Sequence, residues 1–200
     1  MKLPVYINSI ASVSPLGKTS EEIWENYKNQ KHFIKKHNFS GTEALAAFLQ
    51  KELKEEINEL RISSPALKNL DESVLFSVFV AREAVKKAGW GLNENIGVNI
   101  GSSRGATQLF EKYHQLFLET KKAKILASPT TTLGNISSWV AQDLQSSGPE
   151  ISHSVTCSTG LHAVLNGVAW LQAEMADKFL VGGSEAALTL ECLPLMVRFL

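Results

Sequence analysis

The chain has 200 residues, of which 44% are hydrophobic and 20% charged, and its 20 basic and 20 acidic residues give a formal net charge of zero. These values are typical of one globular domain, which we expect over residues 1–200. A neutral chain offers no basic field to nucleic acid or to an anionic membrane, so both are excluded as expected partners.

Two cysteines, Cys157 and Cys192, are too few for a disulfide framework. They form no C-x-x-C motif and the histidines form no H-x-x-x-H motif, so no metal site is expected. The first residues, Met1–Ile7, lack the long apolar stretch of a signal peptide, and no stretch is apolar enough to span a bilayer. We therefore expect a cytoplasmic protein.

The first third of the chain predicts one strand and two helices. Val5–Val13 is apolar and β-branched, which favours a strand, and Ser14–Gly17 is a turn signal. A capping box at Thr19 predicts the start of a short helix. Residues 28–42 are polar and predict a loop, whereas Glu43–Arg61 has the apolar spacing of a charged helix.

The middle of the chain predicts a helix, a strand and a second helix. Asp71 can cap a helix that runs to Lys87, and a glycine follows it. Ile96–Ile100 is apolar apart from one asparagine and predicts a strand. The glycine-containing loop 101–105 could hold a phosphate, but it has neither G-x-G-x-x-G nor a Walker lysine, so a tight turn into a helix through about Phe117 is preferred.

The last third continues the alternation of helices and strands. The predicted elements are a helix opened by Pro129–Asn135, a strand over Ile151–Thr156, a helix from Cys157 to about Ala176, a strand over Lys178–Val181, a further strand after Gly182–Ala186, and a final helix from Glu191. The helix after Cys157 is apolar nearly all round, so burial on most sides is expected. The pattern predicts an α/β fold with a mostly parallel sheet covered by helices on both faces.

Cys157 is the principal candidate for a functional residue. It stands where a short β-branched run meets a small-residue turn and then a helix. The positive end of a helix dipole and the unpaired N–H groups there favour thiolate over thiol, and the thiolate is the nucleophile. Most free cysteines are instead small buried hydrophobes, an interpretation that suits Cys192 in its apolar stretch.

No histidine is an evident base for Cys157. On a strand, His153 would lie about 13 Å away, which favours a structural role. On a helix, His162 would point about 140° away from Cys157, as a core residue or a support for the site. The others, His32, His37 and His114, lie in polar or amphipathic stretches and are expected to be solvated.

Three segments in the same chain order resemble the motifs of one known family, and they are Ile7–Gly17, Thr156–Ala163 and Leu180–Ala187. The family motifs are V-T-G-I-G-x-V-T-P-L-G at the N-terminus, the nucleophile segment T-A-C-A/S-T-G-x-H-A, and L-A-G-G-x-E-A. The chain thus resembles the β-ketoacyl-acyl carrier protein synthases, the condensing enzymes of fatty-acid and polyketide synthesis. The resemblance covers most of the chain except about residues 35–62, a less family-like insertion expected to be helical.

The resemblance implies a thiolase-like fold that dimerises through the half that carries the nucleophile. Cys157 would accept an acyl group from the phosphopantetheine thioester of an acyl carrier protein, and its backbone N–H would be one donor of an oxyanion hole. A malonyl-acyl carrier protein would then be decarboxylated, and its carbanion would attack the acyl-cysteine. This chemistry implies no metal or redox cofactor.

The length of the chain leaves its role open. Family members are about twice as long, and two catalytic histidines and a lysine lie in their second half, so the chain alone is expected to be incomplete for condensation. A first hypothesis is a ketosynthase half with an acylatable Cys157, acting as a homodimer or with another ketosynthase subunit. A second is a non-catalytic partner subunit similar to chain-length factors, although these generally lack the cysteine. A thiol hydrolase or a scaffold with an inert cysteine is a third.

Overall fold

The computed structural model describes residues 4–39 and 41–189. They divide into two compact units. The larger comprises the described residues of Met1–Ile10 and Leu70–Ala186, and the smaller those of Ala11–Asn69 and Ala187–Leu200. The final helix predicted from Glu191, together with Cys192, lies outside the described residues. The expectation of a single domain over residues 1–200 stays a prediction.

The smaller unit combines two helices with a hairpin. Its elements are helix α1 (Ser20–Lys28), antiparallel strands β1 (Lys35–Phe39) and β2 (Thr42–Ala46), and helix α2 (Lys51–Ser63). The N-cap at Thr19 is confirmed, because Thr19 Oγ1 accepts from the N–H of Glu22 at 3.1 Å. The reciprocal arm of the capping box differs, since the Glu22 carboxylate accepts from the N–H of Lys18 at 3.1 Å and not from that of Thr19. Leu53, Ile57 and Leu60 form the buried face of α2.

The predicted loop over residues 28–42 and the predicted start of a helix at Glu43 are wrong. The hairpin pairs Lys35 with Ala46 and Phe39 with Thr42, so strand pairing overrides the helical spacing of the second segment. Helix α2 begins only at Lys51, because Gln50 before it is extended, with φ −62° and ψ 155°.

The larger unit contains a three-stranded parallel sheet and five helices among its described residues. In chain order these are α3 (Glu72–Ala88), β3 (Ile96–Gly101), α4 (Thr107–Thr120), α5 (Ala127–Thr131), α6 (Asn135–Leu144), β4 (Glu150–Ile151), α7 (Thr159–Gln172) and β5 (Lys178–Gly183). The strand order is β4-β3-β5. Helix α6 packs on β3 and against α3, and α7 packs on β3 and β5. The predicted α/β class with a parallel sheet is confirmed.

Helix α3 follows its sequence signals closely. Asp71 accepts from the N–H of Ser73 at 2.9 Å, and Gly89 ends the helix in the left-handed conformation at φ 68°. Val74, Leu75 and Val78 are fully buried. Capping and apolar spacing therefore determine both the bounds and the buried face of this helix.

The predicted strand over Val5–Val13 is wrong, although the turn after it is confirmed by reciprocal 3.0 Å backbone hydrogen bonds between Ser14 and Gly17. Residues 4–13 form no strand, because a strand needs a neighbour for its backbone groups and none pairs with this segment within the described part of the chain. Ser9 Oγ instead donates to the carbonyl of Ala84 at 2.8 Å.

Strand β4 is shorter than the predicted Ile151–Thr156, and a serine explains why. Ser137 of α6 accepts from the N–H of Ile100 at 2.9 Å, and its hydroxyl lies 2.9 Å from the carbonyl oxygen of Ile151. This side chain occupies the place of a strand neighbour, so the pairing of β3 with β4 stops there. The helix predicted from Pro129–Asn135 is likewise divided into α5 and α6, and no strand follows Gly182–Ala186 up to residue 189.

Helix α7 is not buried on most sides, contrary to the sequence expectation. Its buried residues are Thr159, Ala163 and Gly167, which form one stripe, whereas Leu161 and Leu165 are 74% and 63% exposed. A helix that packs on a sheet through one stripe leaves its other faces open, so apolar composition all round did not indicate burial all round.

Candidate functional site

Cys157 lies at the carboxyl edge of the parallel sheet, where ligands bind in open α/β sheets. It follows β4 by six residues and precedes Thr159, the first residue of α7, by two. Its side chain is exposed. The residue is therefore at a strand-to-helix elbow, with the N-cap Ser158 between it and the helix.

The backbone of the elbow is strained immediately before Cys157. Thr156 has φ 50°, a left-handed conformation that β-branched residues rarely adopt. Such a conformation costs about 1–2 kcal/mol and persists only where its surroundings hold it. The strain turns the chain sharply, so that Cys157 is presented at the tip of the bend.

Thr159 holds this bend closed. Its Oγ1 accepts from the N–H of Val155 at 2.8 Å and donates to the carbonyl of Thr156 at 2.6 Å. The N–H of Thr159 also donates to the same carbonyl at 3.2 Å. Thr159 is only 4% exposed, so one buried hydroxyl ties both residues before Cys157 to the start of α7.

Gly101 at the end of β3 allows the elbow to approach the sheet. A Cβ on this residue would overlap Cγ2 of Thr159 and lie 2.6 Å from the carbonyl oxygen of His153. That carbonyl accepts from the N–H of Ser102 at 3.3 Å. Glycine is therefore required here by close approach of the elbow.

Glu185, after β5, connects a second loop to the same edge. One of its carboxylate oxygens accepts from Ser102 Oγ at 2.9 Å, from Ser103 Oγ at 2.7 Å, and from the Ser103 N–H. Ser103 in turn accepts from Ser154 Oγ through its carbonyl at 3.3 Å. The loops after β3 and β5 and the elbow thus meet through hydrogen bonds.

The glycine-containing loop 101–105 is a tight turn, as predicted. Gly105 has φ 67°, its N–H donates to Ser102 Oγ at 2.8 Å, and α4 begins two residues later. The sequence had shown the family-like segment around Glu185, but the contact of its carboxylate with this loop joins residues more than 80 positions apart. No local pattern could have indicated that contact.

The positions of His153 and His162 agree only in part with the sequence expectations. Among the described residues, no hydrogen bond connects Cys157 with a histidine. His153 bonds to Asn99, in keeping with a structural role, at 2.9 Å between Nδ1 and Oδ1. His162 is half-buried rather than a core residue, and its Nδ1 donates to the carbonyl of Ser158 at 3.1 Å.

Of the remaining histidines, His32 is exposed, as expected, and the other two contact aromatic rings. His37 in the hairpin meets Phe48 edge-on at 4.6 Å, and the exposed His114 stacks on Phe110 at 6.2 Å. Within residues 4–39 and 41–189, no three histidine, cysteine or carboxylate side chains cluster as metal ligands would. In the same ranges, no helix has the length and apolar character needed to cross a bilayer.

The sequence matches one protein family along nearly its whole length. The sequence model of the β-ketoacyl synthase N-terminal domain matches residues 2–193. The chain therefore belongs to the β-ketoacyl synthase family, in its N-terminal domain. The resemblance recognised from the motifs is confirmed.

The curated relatives that the chain matches are named as synthases of the same kind. The chain is 29% identical over 195 residues to 3-oxoacyl-(acyl-carrier-protein) synthase 2 of Staphylococcus aureus strain COL, covering 92% of this chain and 46% of that protein. It is 27% identical over 194 residues to the synthase of the same name from Coxiella burnetii, covering 94% and 47%. The chain thus spans about half the length of the curated relatives it matches.

Solved structures share the fold. The ishigamide ketosynthase/chain length factor matches with a TM-score of 0.82 and 16% identity, over 100% of this chain and 51% of that one. A type II polyketide synthase acyl-carrier protein in complex with its ketosynthase bound to the hexaketide matches with a TM-score of 0.79 and 18% identity, over 100% and 49%. The fold is therefore thiolase-like, as in these ketosynthases.

Proposed function

We propose that Cys157 accepts an acyl group from the phosphopantetheine thioester of an acyl carrier protein, as the first half-reaction of ketosynthase condensation. The observation that carries the proposal is an exposed cysteine on a strained elbow at the carboxyl edge of the sheet. Membership of the β-ketoacyl synthase family supports it. The curated relatives carry the name 3-oxoacyl-(acyl-carrier-protein) synthase 2, which is that of enzymes that form 3-oxoacyl-acyl-carrier-protein.

The proposed step is a thioester exchange. The Cys157 thiolate attacks the acyl carbonyl, the bond from that carbon to the phosphopantetheine sulfur breaks, and the departing thiolate takes up the proton that the Cys157 thiol has lost. The negative charge on the carbonyl oxygen needs backbone donors, and the N–H of Cys157 would be one of them. Oxidation states do not change, so the exchange itself needs neither a metal nor a redox cofactor. A reducing compartment such as the cytoplasm would keep the thiol free.

Condensation needs more than these residues. The chain spans about half the length of its curated relatives, and decarboxylation of a malonyl thioester requires groups to polarise its carbonyl. We propose that a second ketosynthase half, in the same polypeptide or in a partner, supplies them. The 200-residue chain alone should therefore release negligible CO₂ from malonyl-acyl carrier protein, and turnover without a partner would contradict this division of labour.

Exposed apolar side chains support association with a partner of this kind. Leu161, Val164 and Leu165 of α7 are 74%, 41% and 63% exposed, and β4 is an edge strand of the described sheet. Burial of this surface would stabilise a homodimer or heterodimer. Light scattering should give a mass above 21.9 kDa, and Leu161→Glu with Leu165→Glu should lower it. A stable monomer at tens of micromolar would argue against dimerisation.

A labelling experiment tests the nucleophile directly. Hexanoyl-pantetheine and iodoacetamide should modify Cys157 in preference to Cys192, as mapped by peptide mass spectrometry. We expect a rate difference of about tenfold or more, because Cys157 is exposed, whereas the apolar sequence around Cys192 favours a buried thiol. Cys157→Ala should abolish the modification, with Cys192→Ala as the matched control that retains it. Equal, slow modification of both thiols would refute the proposal.

The alternative function is a non-catalytic partner subunit. One structure that shares the fold is named as a ketosynthase/chain length factor, which motivates this alternative, and the presence of Cys157 argues against it. Such a subunit would bind a separate ketosynthase and alter the length of the acyl chain that this ketosynthase makes. The Cys157→Ala variant would alter the chain length to the same extent as the parent. A thiol hydrolase would instead release free acid from hexanoyl-pantetheine without accumulation of acyl-Cys157, and an inert scaffold would do neither.

A further inference from the structure

Strand β3 contains a buried polar residue that its neighbours do not explain. Asn99 is fully buried between the apolar Val98 and Ile100. Asparagine is disfavoured in strands, and a buried amide that lacks hydrogen bonds is costly. The side chain of Asn99 forms a hydrogen bond with His153, at 2.9 Å between Asn99 Oδ1 and His153 Nδ1. This pair spans 54 residues and joins the sheet to the segment that leads to Cys157.

We propose that His153 and Asn99 form a positioning pair that fixes residues 152–158, and with them Cys157, against β3 for acyl transfer. The inference rests on the proposed role of Cys157. In this role His153 holds the backbone that carries Cys157 in place. It does not act as the base that takes the cysteine proton.

The face of β3 around Asn99 has space for an imidazole ring. Side chains alternate along a strand, so Asn99 shares its face of β3 with Gly97 and Gly101. The Phe179 ring occupies the space that a Cβ on Gly97 would fill, and a Cβ on Gly101 would lie 3.2 Å from Cε1 of His153. Two glycines therefore leave room on either side of Asn99, and the His153 ring uses one of these spaces.

Regular strand pairing ends before the elbow, so another contact must set its register. Strand β4 ends at Ile151, and the Ser137 hydroxyl interrupts its pairing with β3. Beyond that point, His153 is attached through its ring to Asn99 and through its carbonyl to the Ser102 N–H at 3.3 Å. Four residues later the chain reaches Cys157. A loss of this attachment should let the elbow shift along the edge of the sheet.

Only one ring nitrogen takes part in the contact. The Asn99 Oδ1 is an acceptor, so Nδ1 of His153 donates to it, while Nε2 is buried without a hydrogen-bond partner in the part of the chain that is described. The amide nitrogen of an asparagine can take the place of Nδ1. His153→Asn should therefore keep the contact, whereas His153→Leu keeps the bulk and loses it.

The test uses the 200-residue chain with Cys192→Ala and measures single-turnover acylation of Cys157 by hexanoyl-pantetheine. His153→Leu should lower the maximal acylation rate about tenfold with little change in half-saturation, the effect expected when one buried hydrogen bond no longer orients the reacting group. His153→Asn should recover most of the rate. Ser146→Ala, which removes hydrogen bonds at the opposite end of β3, is the matched control and should leave the rate unchanged.

A double variant separates positioning from stability. Replacing both partners of a buried polar pair by apolar residues is often neutral or stabilising. Asn99→Val with His153→Leu should therefore unfold at the same urea concentration as the parent or a higher one, yet acylate about tenfold more slowly. Equal rates in the parent, His153→Leu and the double variant would overturn the inference and leave the role of Cys157 intact.

Amide hydrogen exchange distinguishes failure of the inference from failure of the proposed function. If the parent chain is not acylated at Cys157, the proposed function fails, and exchange in residues 152–158 then decides the role of the pair. Faster exchange there in His153→Leu, with recovery in His153→Asn, supports positioning of the elbow. Unchanged exchange in this segment refutes it.

Discussion

The hydroxyl of Thr159 should control both the stability of the elbow and the reactivity of Cys157. Thr159→Val keeps the shape of the buried side chain and removes its hydrogen bonds to the Val155 N–H and the Thr156 carbonyl, at 2.8 and 2.6 Å. The Val155 N–H is left without its acceptor, and a partly buried orphan donor costs about 1–2 kcal/mol. We expect the free energy of unfolding to fall by that amount.

Thr159→Ser is the matched control. Serine retains the hydroxyl and loses the methyl group that lies beside Gly101. Removal of one buried methyl costs about 1 kcal/mol, so the two variants should have similar stability. They should differ at the elbow, because only valine releases the strained Thr156, whose φ is 50°.

The assays are urea unfolding, amide hydrogen exchange and acylation of Cys157 by hexanoyl-pantetheine in the Cys192→Ala background. In Thr159→Val, exchange of the Val155 N–H should accelerate about tenfold, the factor for a local loss of about 1.4 kcal/mol, and acylation should slow. Thr159→Ser should resemble the parent in both. Equal exchange and equal acylation in the two variants would refute the idea that this hydroxyl holds the bend.

Three further changes test other parts of the larger unit. Thr156→Asn should raise the free energy of unfolding by about 0.5–1 kcal/mol, since asparagine adopts positive φ more readily; urea unfolding checks this, and a loss of stability would contradict it. The hydrogen bond from Lys178, then that from a backbone N–H, holds the pKa of Glu94 below its usual 4.5. The ionised carboxylate therefore stabilises the folded chain fully at pH values above 4.5. This stabilisation is lost as the pH falls through the lowered pKa of the folded state. Glu94→Gln should be less stable than the parent at neutral pH and equal to it in strong acid, and a constant difference between pH 7 and strong acid would count against the pair. Gly148→Ala should destabilise by about 2 kcal/mol or more, because its Cβ would overlap the backbone carbonyl of Ile96; an unchanged urea midpoint would show that the strand can move aside.

Sequence patterns identified the elements whose signals lie within a few residues. The Asp71 and Thr19 caps, the αL glycine after α3 and the apolar run of β3 all act locally, and the structure has each of them. The collinear motifs gave the family, because they record spacing along the chain that packing does not alter. They also pointed to Cys157 as the candidate nucleophile.

Other features could not be predicted because they depend on which distant segments meet. The hairpin formed where a loop and a helix were expected, since pairing between two segments outweighed the helical spacing of one. The expected strand at the N-terminus acquired no neighbour among the described residues. Helix α7 is apolar on faces that no described residue of the larger unit covers.

By itself the sequence determined the order of most helices and strands in the larger unit, the parallel α/β class and the elbow at Cys157, because caps, turns and periodicity are properties of neighbouring residues. The tertiary structure decided what holds that elbow. Ser137 ends the strand pairing, Thr159 closes the bend and Asn99 receives His153, over separations of 37, 4 and 54 residues. The two longer contacts exist only after the sheet has assembled, since only then do β3 and the segment before α7 lie side by side.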